Sequence, residues 1–343
     1  MIGESVTTFG GVLRSVEGHR LSATESVPSA AESVTVVICA YTERRWQSLL
    51  RAVHSLRDQR RLPEQCVVVI DHNEQLLKRA RLSLPDDVEV LASDERQGLS
   101  GARNTGVRAA RGDVVAFLDD DAEADPGWLE ELLAQYDKPS VVGAGGRALA
   151  VWPERRPGWL PTEFDWVVGC SYTGLPETVA PVRNLIGAAM SFRRHLFDQL
   201  GTFDTEMGRL GVLPLGCEET EFAIRVRLNM AGAELVHVPG AIVHHHVELE
   251  RVQIGYFLHR CYAEGLSKAA VTRRTGADAA LSTERSYVVS TLSRGILLGL
   301  RDGLGGDTDG FARCAMIVVG LFTTTAGYLA GLGRFRSVPH RAA

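Results

Sequence analysis

Gly112-Asp113-Val114-Val115-Ala116-Phe117-Leu118-Asp119-Asp120-Asp121 is the stretch from which the rest of the chain reads outward. A short apolar strand, Val114 to Leu118, runs into three consecutive acids. That is costly inside a folded domain unless a cation or a solvated loop receives the charge. Carboxylates at the carboxyl end of a strand can hold a hard divalent metal shared with a substrate's phosphates. A solvated acidic turn after a core strand is the plain alternative for the acids taken alone.

Upstream, Val34-Thr35-Val36-Val37-Ile38-Cys39-Ala40 is a nearly continuous apolar strand of the kind found in the middle of a parallel sheet. Tyr41 to Arg45 forms a loop, and Leu49, Leu50, Val53 and Leu56 predict a helix over Trp46 to Gln59. Cys66 to Ile70 reads as the second strand, with Asp71-His72-Asn73 at its end. A short helix over Glu74 to Leu82 and a strand over Val88 to Leu91 follow, and the segment from Gly98 to Gly106 opens the next helix. Downstream of the acids, Asp125 as cap and Pro126 at the first helical position predict a helix from Gly127 to Tyr136. This alternation predicts an α/β fold, a mostly parallel open sheet with flanking helices and right-handed crossovers.

Val142 to Ala150 reads as a further strand, and residues 151–183 as a long loop rich in Trp, Pro and Gly. Its Trp152, Trp159 and Trp166 either floor a groove or pack the loop to the body. After an apolar segment over Asn184 to Phe192 and a helix over Arg193 to Leu200, a helix begins at Gly216-Cys217-Glu218-Glu219-Thr220-Glu221-Phe222. In it Glu218 and Glu221 share a face, as do Glu221 and Arg225. Ala233 to Val238 returns as a strand, and Pro239-Gly240 turns the chain toward Ala241-Ile242-Val243-His244-His245-His246. The organisation is therefore a lead-in over 1–33, a catalytic-looking domain over 34–250 and a helical region over 251–343.

In that last region Cys314 to Gly333 carries no charge and is just long enough for a helix to cross a bilayer. Thr323-Thr324-Thr325 and four glycines lower its apolar score, so a buried, interfacial or oligomer-forming helix is the alternative. Arg334, Arg336 and Arg341 after it favour the cytoplasmic side for that end.

With 343 residues, 45% of them apolar, the chain can bury a full core. A net charge of −5 and the absence of a dense basic tract argue against nucleic acid as a partner. Six widely spaced cysteines without a CxxC pair predict a reducing compartment. The first residues lack the order of a signal peptide, so a cytoplasmic location is expected, at the inner face of the plasma membrane if the last helix is seated there. No Ser/His/Asp set and no phosphate loop with a Lys-Ser/Thr ending stands out.

Four blocks together resemble the inverting, metal-dependent nucleotide-sugar glycosyltransferases of family 2, which have the GT-A fold. They are Val36 to Thr42, Val69 to Asn73, the run from Gly98 through Asp121, and Gly216 to Phe222 followed by Val243 to His246. Their order carries the likeness, above all Ala102-Arg103-Asn104-Thr105-Gly106 joined to Leu118-Asp119-Asp120-Asp121.

The resemblance implies roles residue by residue. Tyr41 is similar to the residue lying against the nucleotide base, and Asp71 to the carboxylate that hydrogen-bonds it. Asp119 and Asp121 resemble the paired acids of the DxD element, the first nearer the ribose or donor sugar and the second on Mn2+ or Mg2+, with Asp120 between them. His244 resembles the late histidine near the metal or diphosphate, and His246 could serve instead. Glu219 matches the second acid of the family's Glu-Asp element and is the expected general base, with Glu218 and Glu221 as rivals; the family commonly has Asp where this chain has Glu219. His72 also departs from the usual small or Asp residue. Arg103 is a further positive charge for the donor, or a packing residue.

The implied reaction is inverting transfer from a nucleoside diphosphate sugar to an acceptor hydroxyl, lipid-linked or on a polysaccharide. A non-catalytic nucleotide-sugar binding module and a nucleotidyltransferase are the alternatives. The transferase reading expects Asp121→Ala to abolish metal-dependent transfer and leave the fold intact.

Overall fold

The computed structural model describes residues 32–207, 216–281 and 283–334. The lead-in expected over 1–33 falls almost wholly outside these residues, as do Arg336 and Arg341.

The first half alternates as its hydropathy predicts: β1 (Val34–Ala40), α1 (Trp46–Arg57), β2 (Gln65–Ile70), α2 (Glu74–Ser83), β3 (Val88–Ala92), α3 (Leu99–Ala109) and β4 (Val114–Asp119). In space the strands run β3-β2-β1-β4, all parallel. β1, β2 and β4 are buried almost throughout, as strands covered on both faces must be. Gly106 of α3 lies where a Cβ would collide with Val37, so helix and strand approach closely there.

Beyond the acids come β5 (Ala122–Ala124), α4 (Trp128–Leu133), β6 (Val141–Val151), β7 (Ala180–Pro181), β8 (Ala189–Arg193), α5 (His195–Leu200), α6 (Glu218–Asn229) and β9 (Glu234–His246). The sheet continues β4-β8-β6-β9-β5, with β7 on β9. Here β8 is antiparallel to both β4 and β6, and β5 and β7 are antiparallel to β9. The sheet is thus parallel in its first half and mixed in its second, a distinction that hydropathy does not encode.

Two local expectations are corrected. Helix α4 stops at Leu133 and a 3-10 turn over Ala134–Asp137 completes it; its cap is Gly127, while the Asp125 side chain meets His244 at 3.3 Å instead. Pro239-Gly240 does not turn the chain: β9 runs through it, and the irregularity is absorbed by a slip in pairing between Gly145 and Arg147 of β6.

Each face of the sheet has its own core. Leu49 and Val53 of α1, Leu76 of α2 and Trp128 of α4 pack on Val36, Ile38, Ala116 and Leu118. On the other face, Val37 and Phe117 meet Ala102 of α3, Phe197 of α5 and Phe222 of α6, and the last two rings stack with centroids 4.6 Å apart.

The C-terminal region is helical: α7 (Ile254–Thr275), the short turns α8 (Ala277–Ala280) and α9 (Glu284–Ser286), a π-helical stretch over Tyr287–Leu292 leading into α10 (Ser293–Leu304), and α11 (Asp309–Arg334). A third core joins this region to the 151–183 segment, with Leu160, Phe164 and Val167 against Phe257, Cys261, Leu292 and Ile317. Trp159 packs edge-on against Phe257, which settles that ring as packing. α11 lies so close along α7 that a Cβ on Gly265 would overlap the Thr324 carbonyl, and one on Gly327 the Tyr262 carbonyl. Over Asp309–Gly333, with mean hydropathy 1.7, α11 is long and apolar enough to cross a membrane. Only 22% of its most apolar stretch is buried, and Phe322 and Leu329 of α11 are exposed, as are Leu297 and Leu304 of α10.

Candidate active site

Parallel register brings the ends of three strands to one edge. Cys39 stands opposite Asp119 and Ala40 opposite Ile70, so Tyr41, Asp71 and the acid run emerge together. Asp71 is buried; its Oδ2 accepts the Gly98 amide at 3.0 Å and its Oδ1 shares a hydrogen bond with His72 Nδ1 at 2.7 Å. His72 holds a left-handed backbone, φ 49°, a conformation uncommon outside glycine. Tyr41 stays exposed, its carbonyl accepting Asn73 Nδ2 at 3.1 Å, and the Arg45 guanidinium lies 5.7 Å from its ring centre. This rim sets an exposed ring beside a fixed, buried carboxylate.

Past β4 the three acids divide. Asp119 is partly exposed, whereas Asp120 and Asp121 are buried. Asp121 is ringed by cations: His245 Nε2 lies 3.2 Å from Oδ1, and Arg45 Nη1 and Arg251 Nη2 lie 3.1 and 3.3 Å from Oδ2. Burial pushes the Asp121 carboxyl up, but His245, Arg45 and Arg251 outweigh it and hold the group well below the usual carboxylate range. Burial likewise pushes His245 down, and Asp121 more than reverses this, raising the imidazole to about 10. Asp120 receives Arg45 Nη1 at 2.9 Å, yet burial and the neighbouring Asp121 carry its carboxyl up to about 7.

The histidine nearest the acids is His245, not His244 or His246. Strand alternation turns Val243 and His245 inward and His244 and His246 outward. His244 then pairs with Asp125 at 3.3 Å and His246 with Glu123. Donor atoms of Asp119, Asp121 and His245 all lie within 4.8 Å of one another. Two carboxylates and an imidazole suit a divalent ion, with the imidazole favouring Mn2+ over Mg2+. Asp120 Oδ2 and His245 Nδ1 are buried here without a hydrogen-bond partner among the described residues, which marks the pocket as polar beyond what the protein itself satisfies.

The three glutamates of α6 are separated just as sharply. Arg103 of α3, 3% exposed, donates from Nη1 to Glu218 at 2.7 Å and from Nη2 to the Gly187 carbonyl at 3.1 Å and Asp119 at 3.4 Å. Glu221 is held by both arms of Arg225 at 3.0 and 2.5 Å. Glu219 makes no ion pair among the described residues and lines a cleft of about 1060 Å³. Burial and the adjacent Glu218 push its carboxyl up to about 8, near neutrality, where a base is most effective. Trp166 and Phe164 line the same cleft, so the aromatic loop both packs the C-terminal helices and walls the site.

The family model for glycosyl transferase family 2 matches residues 35–201. Glucosyl-dolichyl phosphate glucuronosyltransferase of Haloferax volcanii is 35% identical over 238 residues, 68% of this chain and 76% of that protein. The chain belongs to glycosyltransferase family 2. As a member it is a glycosyltransferase, and its reaction class is the family's inverting, metal-dependent glycosyl transfer. Neither a bare binding module nor a nucleotidyltransferase fits that membership. Polypeptide N-acetylgalactosaminyltransferase 15 of Homo sapiens is 30% identical over 211 residues, 54% of this chain, which spans about a third (32%) of that enzyme's length. Among solved structures, mannosyltransferase PcManGT from Pyrobaculum calidifontis, in complex with GDP-Man and Mn2+, aligns at a TM-score of 0.56 and 17% identity over 90% of this chain and 89% of that one. That likeness speaks for the GT-A fold.

The motif reading did not single out Arg45, Arg251 or His245. For His245 a signal existed: with Ala241 and Val243 inward, period two puts His245 on the same face. Arg45 and Arg251 had none, because each meets the acids from a distant point in the chain.

Proposed function

We propose that this family 2 enzyme transfers a glycosyl group from a nucleoside diphosphate sugar to a hydroxyl of a lipid-linked acceptor at the cytoplasmic face of a membrane, with Glu219 as general base. The observation that carries the reading is the division at α6: Arg103 ties Glu218 to Asp119 and leaves Glu219 facing the cleft. The glutamate beside the base and the acid run are thereby joined through one buried guanidinium.

In this reading Tyr41 lies against the nucleotide base and Asp71 receives its hydrogen bond. Asp119, Asp121 and His245 would hold Mn2+ or Mg2+, and such an ion supplies Lewis-acid stabilisation of the diphosphate charge. Arg45 and Arg251 add fixed positive charge beside the same carboxylates. Glu219 takes the proton from the acceptor hydroxyl while that hydroxyl's oxygen bonds to the anomeric carbon. The anomeric bond to the diphosphate breaks on the opposite face, and the diphosphate leaves with the electron pair.

Support for a lipid-linked acceptor comes from the exposed apolar faces of α10 and α11 and from the Haloferax relative, whose name contains glucosyl-dolichyl phosphate. Seating α11 in or on the membrane would bring the cleft, which Leu321 and Thr325 of that helix line, to the lipid surface. Arg334, Arg336 and Arg341 after it favour the cytoplasmic side.

A thermal-shift panel of UDP, GDP, dTDP and their common sugars, each with and without Mn2+, tests the donor half. Ligands bound by the native state raise the melting temperature. A metal-dependent rise for one nucleotide, lost in Asp121→Asn, is expected; a flat panel from well-folded protein would sink it. Flotation with lipid vesicles tests the membrane half, and protein that stays at the bottom of the gradient would overturn it.

A further inference from the structure

The fold uses one face of α11 along most of its length. Cys314 and Ile317 are buried on it, and a Cβ on Gly320 would meet the rings of Phe164 and Phe257. One on Gly327 would overlap the Tyr262 carbonyl, and one on Gly331 would lie 2.6 Å from the Ala269 Cβ. Phe257, Tyr262 and Ala269 thus meet Gly320, Gly327 and Gly331 in turn, so α7 and α11 run side by side in the same direction. Arg260, Glu264 and Lys268 of α7 therefore stand level with the stretch of α11 between Gly320 and Gly331, where they line the cleft. Carrying α11 across a bilayer would take these ionisable groups, and the cleft with them, to the depth of the hydrocarbon, where such groups are costly. The other face of α11 is free of such company: Phe311, Val318, Phe322 and Leu329 are exposed, as are Leu297 and Leu304 of α10. Arg294 and Arg301 are exposed among those leucines, and Asp302, the one acid of α10, is held by Arg313 at 2.9 Å. Arginines among leucines suit the headgroup layer, where the stems stay in apolar surroundings and the guanidinium reaches water.

We propose that α11 does not span the membrane but lies in the plane of its surface, with its inner face on α7 and its outer face, together with that of α10, in a single lipid leaflet. Both ends of α11 are then on the same side as the cleft. Length and hydropathy alone allow a span; the packing against α7 is what forbids it. A leaflet fits this face better than a second copy of the chain does, because two copies meeting through it would enclose Arg294 and Arg301 of both in one apolar contact. The inference rests on the membrane reading given above.

Thr308→Cys and Gly333→Cys, at the two ends of α11, provide the test. Both positions are exposed, and a side chain at 333 enters open space. Each full-length variant is made by cell-free synthesis in the presence of sealed vesicles of equal parts phosphatidylcholine and phosphatidylglycerol, which gives a spanning helix the chance to insert. Floated vesicles are treated with a membrane-impermeant maleimide, and mass spectrometry reads each site apart from the native cysteines. Both ends should label as completely without detergent as with it. An end that labels only after detergent would overturn the proposal and leave the membrane reading standing. Protein that does not float would sink that reading and the proposal together, and a stable dimer in the unfloated fraction would assign the face to a second copy. Phe322→Glu combined with Leu329→Glu should leave the melting temperature unchanged and lower the floated fraction about tenfold or more, since carboxylates are strongly disfavoured in lipid. Flotation that survives this pair would overturn the assignment of the face.

Discussion

Arg103 Nη1 lies 2.7 Å from Glu218 Oε1, both side chains being almost wholly inaccessible, and this pair determines which glutamate of α6 is free to act. Removing either partner leaves the other as a buried, uncompensated charge, a loss of about 3 to 5 kcal/mol. Glu218→Gln should therefore lower the melting temperature strongly. Glu219→Gln should leave it nearly unchanged at a pH below the ordinary glutamate range and reduce kcat at its plateau by roughly 10²- to 10⁴-fold, the range for loss of a general base. Comparable activity loss with comparable destabilisation in both variants would refute the assignment of roles.

The Glu219 carboxyl, raised to about 8, also ties stability and rate to pH in opposite senses. A folded pKa above the unfolded value gives stability that is complete below the ordinary glutamate range and lost as pH rises through about 8. Between those limits the melting temperature of the unsubstituted protein should fall relative to that of Glu219→Gln. The base must be ionised to work, so kcat/KM should rise with pH and level off above about 8. Parallel melting curves across pH 5 to 9, or a rate that is flat there, would contradict this.

Asp121→Ala is a poor probe of metal binding, contrary to the expectation that it leaves the fold intact. Its carboxylate neutralises Arg45, Arg251 and His245 in one buried pocket. The alanine variant should lose roughly 3 to 5 kcal/mol of stability, and Asp121→Asn, which keeps hydrogen-bonding atoms, should lose less. Urea denaturation of the two variants checks the order.

His245→Ala should abolish the Mn2+-dependent rise in melting temperature, whereas His244→Ala and His246→Ala should retain most of it. The ground is orientation: only His245 lies inward beside Asp121, and the other two contact Asp125 and Glu123. A Mn2+ response that survives His245→Ala would move the metal elsewhere.

Gly327→Leu should separate α11 from α7, since even a Cβ at 327 would overlap the Tyr262 carbonyl. Overpacking of this kind typically costs about 1 to 3 kcal/mol. If that contact holds the cleft wall, susceptibility of α11 to limited proteolysis should rise. An unchanged digestion pattern would argue against it.

Much of the fold was legible because it is written in local periodicity. The apolar runs at Val34–Ala40, Gln65–Ile70 and Val114–Asp119 and the helical spacing between them needed only near neighbours to read. Strand direction in β8 was not legible, because an apolar run reads the same in either sense. The histidine register was legible in principle, from Val243 and period two, and was obscured by taking Pro239-Gly240 as a turn.

By itself the sequence determined the α/β alternation, the acid run at the end of β4, the glutamates opening α6 and a last helix apolar enough for lipid. Only the tertiary structure decided which acids are held and which is free. Arg103 and Glu218 are 115 residues apart, and Arg251 and Asp121 are 130 apart. Periodicity reports what a residue does to its neighbours in the chain, whereas the charge state of a buried carboxylate is set by whatever the fold brings within a few ångströms of it.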